Sequence, residues 1–130
     1  MNRNIDQFIH RYIEYLRSSG HRHRAVTDAR KQLDYFDRWT ASIGVTTIGQ
    51  LTMFTGTLFH EHLERESDLV TGRVVGPRIM RERLTKLRRF ASWLYGKGHL
   101  PIDLSSSVPI LDKRGSVNKK HLPTTTNLAG

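Results

Sequence analysis

The 130 residues are enough for one hydrophobic core and too few for two. With 37% apolar and 25% charged residues the chain supports a modest core, and the lack of cysteine excludes disulfide staples, thiolate metal sites and a cysteine nucleophile. A formal net charge of +9, with fifteen of the 21 cations arginine, points to a polyanionic partner, nucleic acid ahead of a membrane surface.

The first predicted helix runs from Ile5 to Leu16, where Ile5, Phe8, Ile9, Tyr12, Ile13 and Leu16 keep the three- and four-residue spacing of one helical face. Asn4 is the expected N-cap with Gln7 placed to answer it, and Ser18, Ser19 and Gly20 mark the stop. A second helix is expected from about Val26 or Thr27 to Ile43. It turns Ala29, Leu33, Phe36, Thr40 and Ile43 inward, is flanked by Tyr35 and Trp39, and ends in a left-handed turn at Gly44. Ile48 and Leu51 lead into a third helix carrying Phe54, Leu58, Phe59, His62 and Leu63. Gly56 is its weak point, costing about 1 kcal/mol against alanine.

Residues 67–76 break the pattern and read as a loop, after which Pro77 takes a favoured first helical position. The fourth helix, roughly Pro77 to Tyr95, buries Met80, Leu84, Leu87, Phe90, Ala91 and Leu94, with Trp93 and Tyr95 at its border and Gly96 and Gly98 at its end. Beyond Leu100 and Pro101 the chain holds Ser105, Ser106 and Ser107 and then a polar stretch, a composition expected to bury little. The fold class is therefore all-α, with residues 1–101 as the folded domain and 102–130 as an irregular tail or linker. No run of about 18 apolar residues and no charged-then-apolar leader occurs, so a soluble, cytoplasmic protein is expected, with no membrane and no cofactor.

Turning about 100° per residue along the fourth helix gathers Arg78, Arg81, Thr85, Arg88, Arg89 and Ser92 opposite Met80, Leu87 and Leu94. Glu82 and Lys86 lie at the border. A solvated helix face usually mixes its signs so that residues three or four apart pair. One acid among these cations leaves an excess suited to phosphate oxygens. Arg83 falls near the apolar side, where its stem packs while its head reaches water, and is left out of the contact set. A second cluster, His21-Arg22-His23-Arg24, precedes the second helix, with Arg30 and Lys31 in its first turns. A helix start already offers free N–H donors and partial positive charge to a phosphate. The candidate DNA-binding residues are thus Arg22, Arg24, Arg30, Lys31, Arg78, Arg81, Thr85, Lys86, Arg88 and Arg89. Arginine serves guanine and phosphate alike, so these residues point to duplex contact without a base code.

Several segments carry a family likeness. They are Phe8-Ile9-His10-Arg11-Tyr12-Ile13-Glu14-Tyr15-Leu16 in the first helix, Leu33-Asp34-Tyr35-Phe36-Asp37-Arg38-Trp39 closing the second, and the lead-in Thr47-Ile48-Gly49-Gln50-Leu51-Thr52. The sharpest is the run from Leu87-Arg88-Arg89-Phe90-Ala91-Ser92-Trp93-Leu94-Tyr95 through Gly96-Lys97-Gly98 to Leu100-Pro101, and Lys119-Lys120-His121-Leu122-Pro123 looks like a link to a following domain. In order and spacing the chain resembles the N-terminal core-binding domain of tyrosine recombinases, the integrase and Xer group, over about residues 5 to 123. The resemblance implies a four- or five-helix, SAM-like orthogonal bundle whose second and fourth helices face the major groove of half a recombination site. It implies as partners double-stranded DNA, a catalytic recombinase domain and a recombinase oligomer on DNA, in a bacterial, phage or mobile-element setting.

Catalysis in that family needs an Arg, a Lys, a His-x-x-Arg pair, a further His or Trp and a Tyr nucleophile, all on a second domain. No catalytic residue and no enzymatic activity are therefore expected of this chain. His21-x-x-Arg24 and His62-x-x-Arg65 do spell the pair, and Tyr95 follows the second, but such spacing arises readily on a basic chain and packing accounts for His62 and Tyr95. His60 and His62 lie two apart on a helix, point different ways and lack a completing ligand set for a metal. Two rival readings stand beside the first: a stand-alone accessory or regulator of recombination, and a helical module whose basic face meets an acidic protein.

Overall fold

The computed structural model describes residues 4–69, with side chains to 66, and residues 76–112. Within them the chain forms four α-helices: α1 (Ile5–Ser18), α2 (His23–Ser42), α3 (Thr55–Leu69) and α4 (Pro77–Gly96). Short 3₁₀ turns at Ile48–Gln50 and Leu104–Ser107 follow α2 and α4 respectively. The helical content and the irregular segment after α4 agree with the all-α expectation.

Helix α1 buries the six residues singled out by their spacing. Asn4 has the extended backbone of an N-cap, yet its side chain makes no cap hydrogen bond. Its backbone is drawn instead into an isolated antiparallel bridge with Thr47, where the Ile5 N–H donates to the Thr46 carbonyl at 2.9 Å. The Gln7 N–H, the donor that the Asn4 side chain would have taken, instead donates to Asp6 Oδ1 at 2.9 Å and to the Asn4 carbonyl at 3.2 Å. Gln50 accepts from the N–H groups of Thr46 (2.9 Å) and Thr47 (3.1 Å), so the strip that holds the start of α1 is itself braced.

Three helices end alike. Gly20, Gly44 and Gly98 adopt φ of 85°, 81° and 77°. The following residue reaches back five positions in each case, from His21 to Leu16, Val45 to Thr40 and His99 to Leu94. This left-handed closure satisfies carbonyls that the last turn leaves open, and glycine adopts it without a Cβ penalty.

Helix α2 starts at His23, three residues before the expected Val26, so His23 and Arg24 belong to its first turn. Its buried residues are Val26, Ala29, Gln32, Leu33, Phe36, Trp39 and Thr40. Ile43, expected inside, is 51% exposed, because it is the C-cap residue and the backbone has already left helical geometry there. Phe54 and Leu58, also expected on the inner side, are 72% and 45% exposed. Phe54 precedes α3, and Leu58 lies about 100° round the helix from Phe59, off the face that Phe59 and Leu63 bury.

The core holds two aromatic groups. Between α2 and α3, Phe59 meets Phe36 and Trp39, both at a centroid distance of 5.1 Å. Between α1 and α4, Tyr12 meets Phe90 at 5.5 Å and Trp93 at 5.4 Å, and Phe8 lies edge-on to His99 at 4.9 Å. Such tilted and edge-on pairs suit the ring quadrupoles. Trp93 Nε1 is buried there without a hydrogen-bond partner among the described residues.

The segment after α4 is irregular but not idle. Leu104, Val108 and Leu111 are buried, against the expectation that the composition would bury little, while residues 113–130 lie outside the described residues. Gly56 accounts for this packing: a Cβ at that position would come within 2.9 Å of Val108 Cα. The glycine that weakens α3 by propensity lets the later segment approach its backbone. The expected loop at 67–76 is shortened at its start, since α3 continues to Leu69, and residues 70–75 lie outside the described residues.

Candidate nucleic-acid interface

Helix α4 is built to present a constant side outward. Pro77 occupies its first turn after Gly76, and Met80, Leu84, Leu87, Phe90, Ala91 and Leu94 are buried at helical spacing. The residues between them are forced round to the other side. Arg78, Arg89 and Ser92 are exposed there, while Arg81, Thr85, Lys86 and Arg88 are half-buried, their stems covering the flanks of the helix. The helix carries six cations (Arg78, Arg81, Arg83, Lys86, Arg88 and Arg89) and one acid, Glu82.

Glu82 neutralises little of this. It pairs with Arg78 at 3.7 Å through an arginine side chain that is 83% exposed, a geometry worth at most a few tenths of a kcal/mol in water (about 0.3–0.5). Among the described residues no carboxylate lies within ion-pair distance of Arg81, Lys86, Arg88 or Arg89. Burial, and then the neighbouring charge of Arg89, pull the Arg88 guanidinium below the usual arginine range. Adjacent guanidinium groups without counter-charge favour a bound anion, which would relieve both.

The α2 residues are arranged differently. Arg22 stands at the N-cap, Arg24 in the first turn, and both are exposed. Arg30 pairs with Asp34 at 3.8 Å. With Lys31 it lines a groove of about 560 Å³ between α1 and α2, which Arg17, Arg38, Asp34 and Asp37 also line. Burial, then Asp6 and Asp34, hold the Asp37 carboxyl above the usual range. Cations and acids thus alternate along α2, whereas α4 is almost uniformly cationic.

Arg83 departs from its expected place. Its head does not simply reach water: the guanidinium carbon sits 3.9 Å from the Tyr35 ring centroid, and Nε donates to Gln32 Oε1 at 3.2 Å. Among the described residues this side chain, and none of the ten candidates, joins the α4 set to α2. The Tyr35 hydroxyl continues the link by donating to Glu66 Oε2 on α3 at 2.6 Å. Spacing along one helix carries no trace of Gln32, Tyr35 and Glu66 acting together.

The histidine motifs have structural partners. His21 Nδ1 lies 3.1 Å from the Leu16 carbonyl at the end of α1. His62 packs on Trp39 at 5.7 Å and sits 2.9 Å from Glu66 Oε2, and His60 lies 3.4 Å from Glu64. Tyr95 is 48% exposed in the last turn of α4. Among the described residues no three His, Cys, Asp or Glu side chains gather where a metal ion would bind, and no helix is long and apolar enough to cross a membrane.

Compared with protein-family models, curated proteins and solved structures, the chain matches none. The functional reading therefore rests on the residues themselves and their geometry.

Proposed function

We propose that this chain is a duplex-DNA-binding module of the core-binding type found at the start of tyrosine recombinases, using the outward side of α4 as its main contact. One observation carries the reading: six cations against one acid on α4, five of them with no ion-pair partner among the described residues and four of these, Arg81, Lys86, Arg88 and Arg89, outside the Arg83 link to α2. Arg78, Arg81, Lys86, Arg88 and Arg89 would hold phosphates, with Thr85 adding a hydroxyl. The α2 residues Arg22, Arg24, Arg30 and Lys31 would add a weaker flank, since Asp34 and Asp37 stand among them. In this reading the module positions DNA for a catalytic domain and performs no chemistry of its own.

Phosphate neutralisation releases condensed counterions, so about six contacts give a log–log salt slope on the order of −5. Fluorescence anisotropy of a labelled duplex between about 50 and 200 mM salt measures it, over a range in which such contacts lose orders of magnitude in affinity. Reversal of Arg81 and Arg89 to Glu should abolish binding. A flat salt response, or a double reversal that binds like the parent, refutes the proposal. Intact DNA binding with loss of an acidic protein partner would favour the interaction-module reading instead.

A further inference from the structure

Arg83 differs from every other cation of α4 in directing its charge into the bundle. Its guanidinium lies over the face of Tyr35, and its Nε–H donates to Gln32, a side chain only 8% exposed. Tyr35 is held from a second direction, because its hydroxyl donates to Glu66 and lies 3.1 Å from His62 Nε2. A half-buried polar chain therefore crosses from α4 through α2 to α3. Guanidinium is suited to the first link, being planar, weakly hydrated and able to stack on a ring while donating in its own plane.

We propose that Arg83 is a positioning residue: it does not touch nucleic acid, and through Tyr35 and Gln32 it sets the cationic side of α4 at a fixed angle to α2. The inference rests on the DNA-binding reading. Helix α4 carries its cations on one rigid rod, so play at the crossing with α2 moves all of them together. The residue that governs that crossing then governs their joint fit to phosphates spaced along a duplex.

The test uses the full chain and labelled duplex, with the variants Arg83→Met, Tyr35→Leu, their double variant, the milder Tyr35→Phe, and Arg89→Gln for comparison. Binding is measured across salt concentrations at a temperature where circular dichroism shows every variant folded, so that a role in stability alone leaves affinity unmoved. Arg83→Met and Tyr35→Leu should each weaken binding about three- to tenfold, with the salt slope of the parent. The double variant should bind no worse than the weaker single one, because both changes cut the same link. Arg89→Gln should instead lower the slope by about one. A slope reduced by about one in Arg83→Met makes Arg83 a phosphate contact and overturns the proposal. Parent-like affinity in folded Arg83→Met overturns it as well, while leaving the DNA reading intact. Failure of the parent itself to bind duplex refutes the DNA reading, and this role of Arg83 with it.

Discussion

Replacing Gly56 by alanine sets two effects against each other. On an exposed helix the change stabilises by about 1 kcal/mol, because glycine loses more backbone entropy on folding. Here the added Cβ would lie 2.9 Å from both Cα and Cγ2 of Val108 and 3.2 Å from the Ser107 carbonyl oxygen. Two of those atoms are backbone and Val108 is buried, so neither moves aside as the end of a long side chain would. Overpacking of this kind costs about 1–3 kcal/mol. The balance is a net loss of about 1 kcal/mol, seen in calorimetry as a thermal midpoint about 4–8 °C lower for a domain of this size. On a Val108→Ala background part of the loss should persist, because the close approach to Cα remains. A midpoint that rises in Gly56→Ala would show that the segment 104–111 does not lie against α3, and the reasoning would fail.

Phe54→Ser should change unfolding free energy by no more than about 0.5 kcal/mol, whereas Phe59→Ala should cost about 3–5 kcal/mol; urea titration separates them, and a costly Phe54→Ser would place that ring in the core. Asp37 holds its proton more tightly folded than unfolded, so it adds stability below its ordinary value of 3.8 and detracts once ionised. Asp37→Asn should accordingly raise the thermal midpoint at pH 7 and lose that advantage near pH 3, about one pH unit below the unfolded value; an equal gain at both would contradict the stated cause. Burial, and then the bond to Glu66, push Tyr35 up to about 12, so its contribution is complete below 10 and fades between 10 and about 12. Tyr35→Phe should flatten the alkaline loss of stability across that window, by under about 1 kcal/mol given the solvent screening at this half-exposed site.

Helices α1 and α4 were legible because each buries one clean stripe and is closed by chemistry that a sequence displays, a glycine at the end and, for α4, a proline at the start. The beginning of α2 was not, since Arg22 at the N-cap and a cationic first turn run against capping and dipole preferences, which moves the expected start to Val26. Phe54 and Leu58 fit a hydrophobic count but not the rotation of a helix that begins at Thr55. The packing of Leu104, Val108 and Leu111 was hidden among serines and prolines, where no period forms. The same division holds at the interface. Cations that share α4 share its period and can be read together. The contacts from Arg83 to Gln32 and from Tyr35 to Glu66 join residues 51 and 31 positions apart. Only the folded chain brings such pairs together.

The two aromatic groups give the molecule a pair of optical reporters. Its two tryptophans are divided between them, Trp39 stacked on His62 between α2 and α3 and Trp93 beside Tyr12 and Phe90 between α1 and α4. Emission from a chain keeping one indole follows one helix pair. Coincident curves from the two would mean that both pairs come apart in a single step, and separated curves would show which half lets go first.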